Sequence, residues 1–155
     1  MTEVVVTHVD SYVYRWDESD LKYLLLKRHE AKIYGHLWQG VAGQLEDGET
    51  AVETVIRELK EETGLEPAKL FVVDHVSSFY QSYKDRMHLV PIFGVEVDSE
   101  EVILSEEHTE YRWVNFQSAL ELMTWSKQKE AISALNGMLL SGDDRLKWSA
   151  VKIDE

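Results

Sequence analysis

The chain contains no cysteine. Disulfides, zinc–thiolate sites, iron–sulfur clusters and thiol nucleophiles are thereby excluded, and carboxylates and histidines remain as the possible metal ligands. The histidines, His8, His29, His36, His75, His88 and His108, show neither H-x3-H nor H-E-x-x-H spacing, so a zinc site is not expected. Basic residues are scarce: 16 Lys and Arg stand against 29 Asp and Glu, giving a net charge of -13. Such a field repels nucleic-acid backbones and anionic membranes, so neither is expected as a partner. A small anion remains admissible, because it can arrive with the cations that clustered carboxylates attract. No apolar run approaches the ~18–20 residues that span a bilayer. The opening MTEVVVTHVD places Glu3 and Asp10 around a short apolar run, without the basic start and length of a secretory signal. A cytoplasmic location is the expectation.

What is present is an ordinary globular composition. The 155 residues are 44% hydrophobic and 29% charged, which suits one compact domain spanning residues 1–155, and the following strands and helices, without repeat or linker, make it α+β. Val4–Trp16 and Tyr23–Leu26 read as a hairpin across the polar turn Asp17–Asp20. Trp38–Gly43 reads as a constrained loop leading into the acidic turn Glu46-Asp47-Gly48. From Thr50 to Thr63 there is no Gly or Pro, and Val52, Val55, Ile56 and Leu59 recur at helical spacing, with Gly64 placed to end the helix. Leu70–Tyr80 and Met87–Val97 predict a second strand pair, and Tyr111–Val114 a short strand after an acidic loop. Gln117–Leu140 predicts one or two helices, and Leu146–Ile153 a late strand.

The chemistry concentrates in Gly43-Gln44-Leu45-Glu46-Asp47-Gly48-Glu49, which continues through seven residues to Arg57-Glu58-Leu59-Lys60-Glu61-Glu62-Thr63-Gly64-Leu65. At about 100° per residue the aliphatic stripe faces a core, while Glu58, Glu61 and Glu62 share one arc. Like charges at these spacings cost a helix roughly 0.2–0.5 kcal/mol per pair, a cost that bound cations reverse. Oxygen-only ligands suit Mg²⁺ or Mn²⁺. Arg57, four residues before Glu61, can hold that carboxylate by a charge-assisted hydrogen bond. Gly43 leaves room for its carbonyl to approach a metal, and Glu49 meets the positive end of the helix dipole. A Glu-rich amphipathic helix is more often a solvated face, but the glycines, Arg57 and Glu49 at these spacings argue for a site.

The spacing G-x5-E-x7-R-E-U-x-E-E-x-G-U, with U aliphatic, resembles that of the Nudix hydrolases at every fixed position. The resemblance implies a mixed β-sheet sandwiched between helices, divalent metal, and cleavage of a diphosphate linkage. It implies Glu58 and Glu62 as ligands, with Gly43 contributing its carbonyl, and Glu61 orienting or deprotonating water. It also implies a further carboxylate from outside the helix, for which Glu107 is the first choice and Glu106 the second. Trp38-Gln39, Glu107-His108, Tyr111-Arg112-Trp113, Trp125-Ser126 and Gln128–Ile132 further resemble the dihydroneopterin triphosphate pyrophosphohydrolase branch. That likeness makes Arg28 and Trp38 candidate substrate contacts. Ala42 replaces the branch's Thr, removing a hydroxyl from the pterin side. Trp113 and Trp125 are read as core packing. Tyr80 and Tyr83 fall where some diadenosine polyphosphate hydrolases of the family carry a Tyr.

The expected function is therefore Mg²⁺-dependent hydrolysis of a small nucleoside or pterin triphosphate to monophosphate and pyrophosphate. The alternatives are diadenosine polyphosphate or nucleotide-sugar hydrolysis, and a non-catalytic nucleotide sensor. The expected partner is a small phosphorylated metabolite, with a homodimer left open.

Overall fold

The computed structural model describes residues 1–153 of the 155. Its centre is one mixed sheet. Strands β1 (Glu3–Val5), β2 (His8–Asp17), β3 (Asp20–Arg28), β4 (Trp38–Gln39) and β5 (Val41–Gln44) precede helix α1 (Ala51–Thr63). Strands β6 (Lys69–Gln81), β7 (Arg86–Glu96) and β8 (His108–Val114) follow, and helices α2 (Phe116–Leu122), α3 (Ser126–Leu140) and α4 (Arg145–Ser149) close the chain. Strand β7 is parallel to β1 and β2, whereas the β2–β3, β2–β5, β3–β4, β3–β8 and β6–β7 pairs are antiparallel.

One departure from a simple meander creates the site. Strand β2 pairs with β3 only from Val13 to Asp17, and its first half, His8 to Ser11, pairs with β5 on the same edge. β3 thus splays away from β2 beyond Leu24, and the segment Trp38–Gln44 fills the wedge. The wedge carries Gln39, Ala42 and Gly43 into the middle of the sheet.

Alternation along the strands builds a core on each face. Val9, Val13, Leu24 and Leu26 point toward α1 and pack with Val55 and Leu59. Tyr12, Tyr14, Tyr23 and Leu25 point the other way, against Met123, Ile132 and Leu135 of the α2–α3 region. A fully buried Leu such as Leu59 or Leu135 contributes about 1.5–3 kcal/mol, so the two layers are well anchored.

The predicted α1 helix is present with both ends capped. Thr50 Oγ1 accepts from the Glu53 amide at 3.1 Å and the Thr50 amide donates to Glu53 Oε1 at 3.0 Å, a reciprocal capping box. Gly64 ends the helix at φ 75°, where its amide donates to the Lys60 carbonyl at 2.9 Å.

Three sequence expectations about local structure are corrected. Trp38–Gly43 is not a loop: Trp38–Gln39 and Val41–Gln44 are strands interrupted at Gly40, because β3 and β2 each offer them an edge. Leu146–Ile153 is not a strand: Arg145–Ser149 is a short helix, and only Ala150 bridges to Phe71, with the Val151 amide donating to the Leu70 carbonyl. Val151 and Ile153 still pack on the α1-side core, which explains the apolar pattern without a strand. The last strand is also longer than Tyr111–Val114, beginning at His108 because β3 offers its backbone as far as Arg28. No helix among the described residues is long and apolar enough to cross a membrane.

Candidate active site

Helix α1 lies against β5, and this contact determines where its carboxylates point. Gly43 is the close approach: a Cβ there would overlap Glu58 Cγ and stand 2.6 Å from Glu58 Cδ. The glycine therefore has a steric reason beyond the metal-facing carbonyl expected from sequence, because it gives the Glu58 side chain its place over the strand.

Arg57 organises the rest. Its Nε donates to Glu49 Oε2 at 2.7 Å and its Nη2 to Glu49 Oε1 at 2.9 Å, a bidentate pair. The remaining N–H groups reach the Gln44 carbonyl at 2.9 Å, Glu58 Oε1 at 2.7 Å and Glu61 Oε2 at 3.2 Å. Five donors thus meet five acceptors. The sequence reading gave Arg57 one carboxylate, Glu61, and Glu49 only a dipole role; the structure shows Glu49 as the carboxylate it holds with two hydrogen bonds. Thr54 Oγ1 also donates to Glu49 Oε1, at 2.6 Å. The Arg57 hydrogen bonds, followed by that of Thr54, hold the Glu49 carboxyl at a pKa of about 2. Glu49 therefore anchors the guanidinium that positions Glu58 and Glu61.

Glu62 differs in kind. It is 4% exposed, and burial, reinforced by repulsion from Glu58 and Glu107, pushes its pKa to about 9. Its Oε2 is buried with no hydrogen-bond partner among the described residues. Burial also raises Glu58, against the pull of Arg57. Glu61 remains exposed at the surface of the helix.

From β8 and the loop before it, Glu107 and His108 approach Glu62, and one ligand atom from each of the three lies within 4.8 Å of the others. Glu106 is exposed and outside this group. His108 is 4% exposed, and burial lowers its pKa to about 4, so the ring is neutral. One ring nitrogen, Nε2, lies 3.1 Å from Gln39 Nε2, while Nδ1 is buried without a partner among the described residues. Orphaned buried oxygen and nitrogen atoms beside mutually repelling carboxylates fit a divalent cation.

Arg28 stands at the end of β3, with Nε donating to the Ile33 carbonyl at 2.8 Å. Its charge acts favourably on Glu62 and lowers His108 further. Trp38 is 8% exposed, with the Arg112 guanidinium 4.7 Å from its ring centroid, yet it also forms part of the wall of a pocket of about 460 Å³. Asp10, Tyr34, Phe79, Tyr80 and Trp125 line the same pocket, and so does Gln39, whose contact with His108 joins the pocket to the carboxylates.

The tryptophan expectations divide. Trp113 packs on the α1-side core and donates from Nε1 to the Glu100 carbonyl at 2.9 Å. Trp125 is 48% exposed at the pocket, its ring 5.6 Å from that of Tyr34 in a T-shaped contact, and is not a core residue. Tyr80 lines the pocket, whereas Tyr83 is 80% exposed in a 3-10 turn at Ser82–Lys84 and does not. Asp10 received no role from the sequence, although period-2 alternation places it on the face of Tyr12 and Tyr14, a carboxylate in an apolar row. The pairing of Gln39 with His108 was not legible in the sequence, because residues so distant along the chain carry no local signal.

Comparison with known proteins accords with this geometry. The NUDIX domain family model matches residues 6–135. Mouse bis(5'-nucleosyl)-tetraphosphatase [asymmetrical] is 27% identical over 130 residues, covering 82% of this chain and 86% of that protein. Dihydroneopterin triphosphate diphosphatase of Haemophilus influenzae is 30% identical over 121 residues, covering 70% and 75%. A crystal structure of a NUDIX hydrolase from Listeria monocytogenes superposes with a TM-score of 0.76 at 30% identity, covering 88% of this chain and 96% of that one. An acidic helix capped by glycine, an arginine that binds its carboxylates and a family match across most of the chain converge: this protein belongs to the Nudix family, as a hydrolase of phosphorus-containing acid anhydrides.

Proposed function

We propose that the protein hydrolyses a small nucleoside or pterin triphosphate to the monophosphate and pyrophosphate, using Mg²⁺ or Mn²⁺. The observation that carries this reading is the junction of the aromatic pocket with buried Glu62 and exposed Glu107 through Gln39 and His108. A heterocycle held in the pocket directs its phosphate chain toward Glu62 and Glu107.

Glu58, Glu62 and Glu107 would hold the divalent ions, with the Gly43 carbonyl beside them. The ion's contribution when bound is to neutralise charge on the phosphoryl oxygens and to make water more acidic. Arg57, itself fixed by Glu49, keeps Glu58 and Glu61 in place. Glu61, exposed beside the site, orients the attacking water or takes its proton. Arg28 supplies a cation for a phosphate oxygen, and Trp38 supplies part of the wall against which the heterocycle rests. In-line positioning and charge neutralisation are what a slow phosphoanhydride hydrolysis requires.

A second reading, asymmetrical cleavage of a dinucleoside tetraphosphate, is favoured by the 27% identity to the mouse tetraphosphatase and by Tyr80 in the pocket. A panel of nucleoside triphosphates, dihydroneopterin triphosphate, a nucleotide sugar and diadenosine tetraphosphate in Mg²⁺, with products resolved, tests both. The proposal expects monophosphate and pyrophosphate from a triphosphate. Faster turnover of the dinucleotide replaces it with the second reading, and binding without turnover would make the protein a sensor.

A further inference from the structure

Among the described residues, Asp10 is the one carboxylate lining the aromatic pocket. It is half-buried on β2, where its backbone is fixed between Ala42 of β5 and Ile92 of β7. It follows His8 and precedes Tyr12 along the row that faces the α3-side core, so its side chain ends where that core gives way to the cavity. No ion pair and no hydrogen bond engages the carboxylate among the described residues, and burial alone accounts for its pKa of about 6. The cation that lines the same pocket, Lys127, pairs instead with Glu130 at 3.6 Å. The neighbouring Ala42 contributes only a methyl group. A carboxylate held this way without donors is costly, and a ligand that supplied them would offset the cost.

The remaining walls suit a flat ring. Tyr34, Phe79, Tyr80 and Trp125 are each between 46% and 60% exposed and line the cavity; one face of Phe79 is stacked on His88 and Tyr34 meets Trp125 edge-on, and the exposed part of each ring is open to a planar partner.

We infer that Asp10 is the specificity-determining residue of this pocket, and that it selects a 2-amino-4-oxopyrimidine ring, the edge shared by guanine and pterins. That edge presents a ring N–H and an amino N–H side by side, which a carboxylate accepts as two parallel hydrogen bonds. Adenine places one amino donor beside a ring nitrogen lone pair, which faces the second carboxylate oxygen repulsively. Hypoxanthine retains the ring N–H but lacks the amino group. The inference rests on the triphosphate reading only for the direction in which the phosphates leave the pocket.

Binding tests the assignment separately from catalysis. GMP, IMP and AMP are titrated against the protein in Mg²⁺ at pH 8, where Asp10 is ionised, with tryptophan fluorescence as the readout because Trp125 and Trp38 line the cavity. GMP should bind at least about tenfold more tightly than AMP, with IMP between them, as one or two charge-assisted hydrogen bonds require. Asp10→Asn fills the same volume, removes a half-buried charge and so should fold. Its amide offers one acceptor and one donor, and preference should move toward AMP. Asp10→Ser should lose the GMP preference without gaining AMP affinity. Equal or tighter AMP binding by the wild type, or an unchanged GMP to AMP ratio in Asp10→Asn, overturns the assignment. Turnover is scored independently: GMP preference without hydrolysis of any triphosphate leaves Asp10 assigned and removes the pyrophosphohydrolase reading, whereas hydrolysis without base preference does the reverse. Comparing kcat/KM for GTP and dihydroneopterin triphosphate then decides which carrier of the ring is the substrate.

Discussion

Glu62 keeps its proton where an ordinary glutamate has lost it. Its unfolded value of 4.5 and folded value of about 9 define a window in which the folded chain binds a proton that the unfolded chain does not. Stability of the metal-free protein should therefore fall as pH rises through that window. Asp10, raised from 3.8 to about 6, adds a slope of the same sign at its acidic end. Thermal midpoints of chelator-treated protein between pH 5 and pH 9 check this, with Glu62→Gln expected to flatten the decline above pH 6. An unchanged slope in that variant would mean that Glu62 is ionised in the folded state. In the presence of Mg²⁺ the same variant should retain its fold and lose at least about a hundredfold in kcat, since an amide cannot supply the anionic ligand. Near wild-type turnover would remove Glu62 from the metal site.

Helix α1 and strand β5 act as one device, and their tolerance of change should differ along their length. Thr50→Ala removes the capping box and should cost about 0.5–2 kcal/mol, read by denaturant unfolding, with little change in kcat because Thr50 touches no candidate ligand. Gly43→Ala acts at the other end of the contact. Its methyl overlaps Glu58, so the carboxylate must move, and overpacking of this kind costs about 1–3 kcal/mol. The distinguishing expectation is functional: Gly43→Ala should lower kcat at least about tenfold in protein that remains folded by circular dichroism. Full activity there would show that Glu58 can act from a displaced position.

Across the whole molecule the net charge of -13 and the carboxylates gathered by folding make stability sensitive to cations. Only the folded chain brings Glu58 and Glu62 of α1 beside Glu107 of the loop before β8. By mass action, a cation at 100 times its dissociation constant stabilises the native state by about 2.7 kcal/mol, several degrees in a domain of this size. Salt alone relieves repulsion, so KCl at matched ionic strength is the control. The Mg²⁺ shift should exceed that of KCl and shrink in the Glu58→Gln/Glu62→Gln double variant. Equal shifts, or an undiminished one, would mean that the carboxylates are an ordinary solvated face.

The sequence by itself determined the helix, the glycine that ends it, the family and the arc of glutamates, because each depends on residues within a few turns of one another. Gly43, Glu49, Arg57 and Gly64 were legible through spacing alone, although spacing could not tell that Glu49 rather than Glu61 is the main partner of Arg57. It also misjudged Leu146–Ile153 and Trp125, since apolar character does not distinguish a strand from a helix or a core from a pocket wall. Tertiary structure alone decided what lies opposite the helix. His108 reaches Gln39 across 69 residues, and Asp10 meets Ala42 only because β3 splays from β2 and lets β5 in. Burial is a property of that assembled wedge: it raises the pKa of both Glu62 and Asp10, and no local pattern encodes either environment.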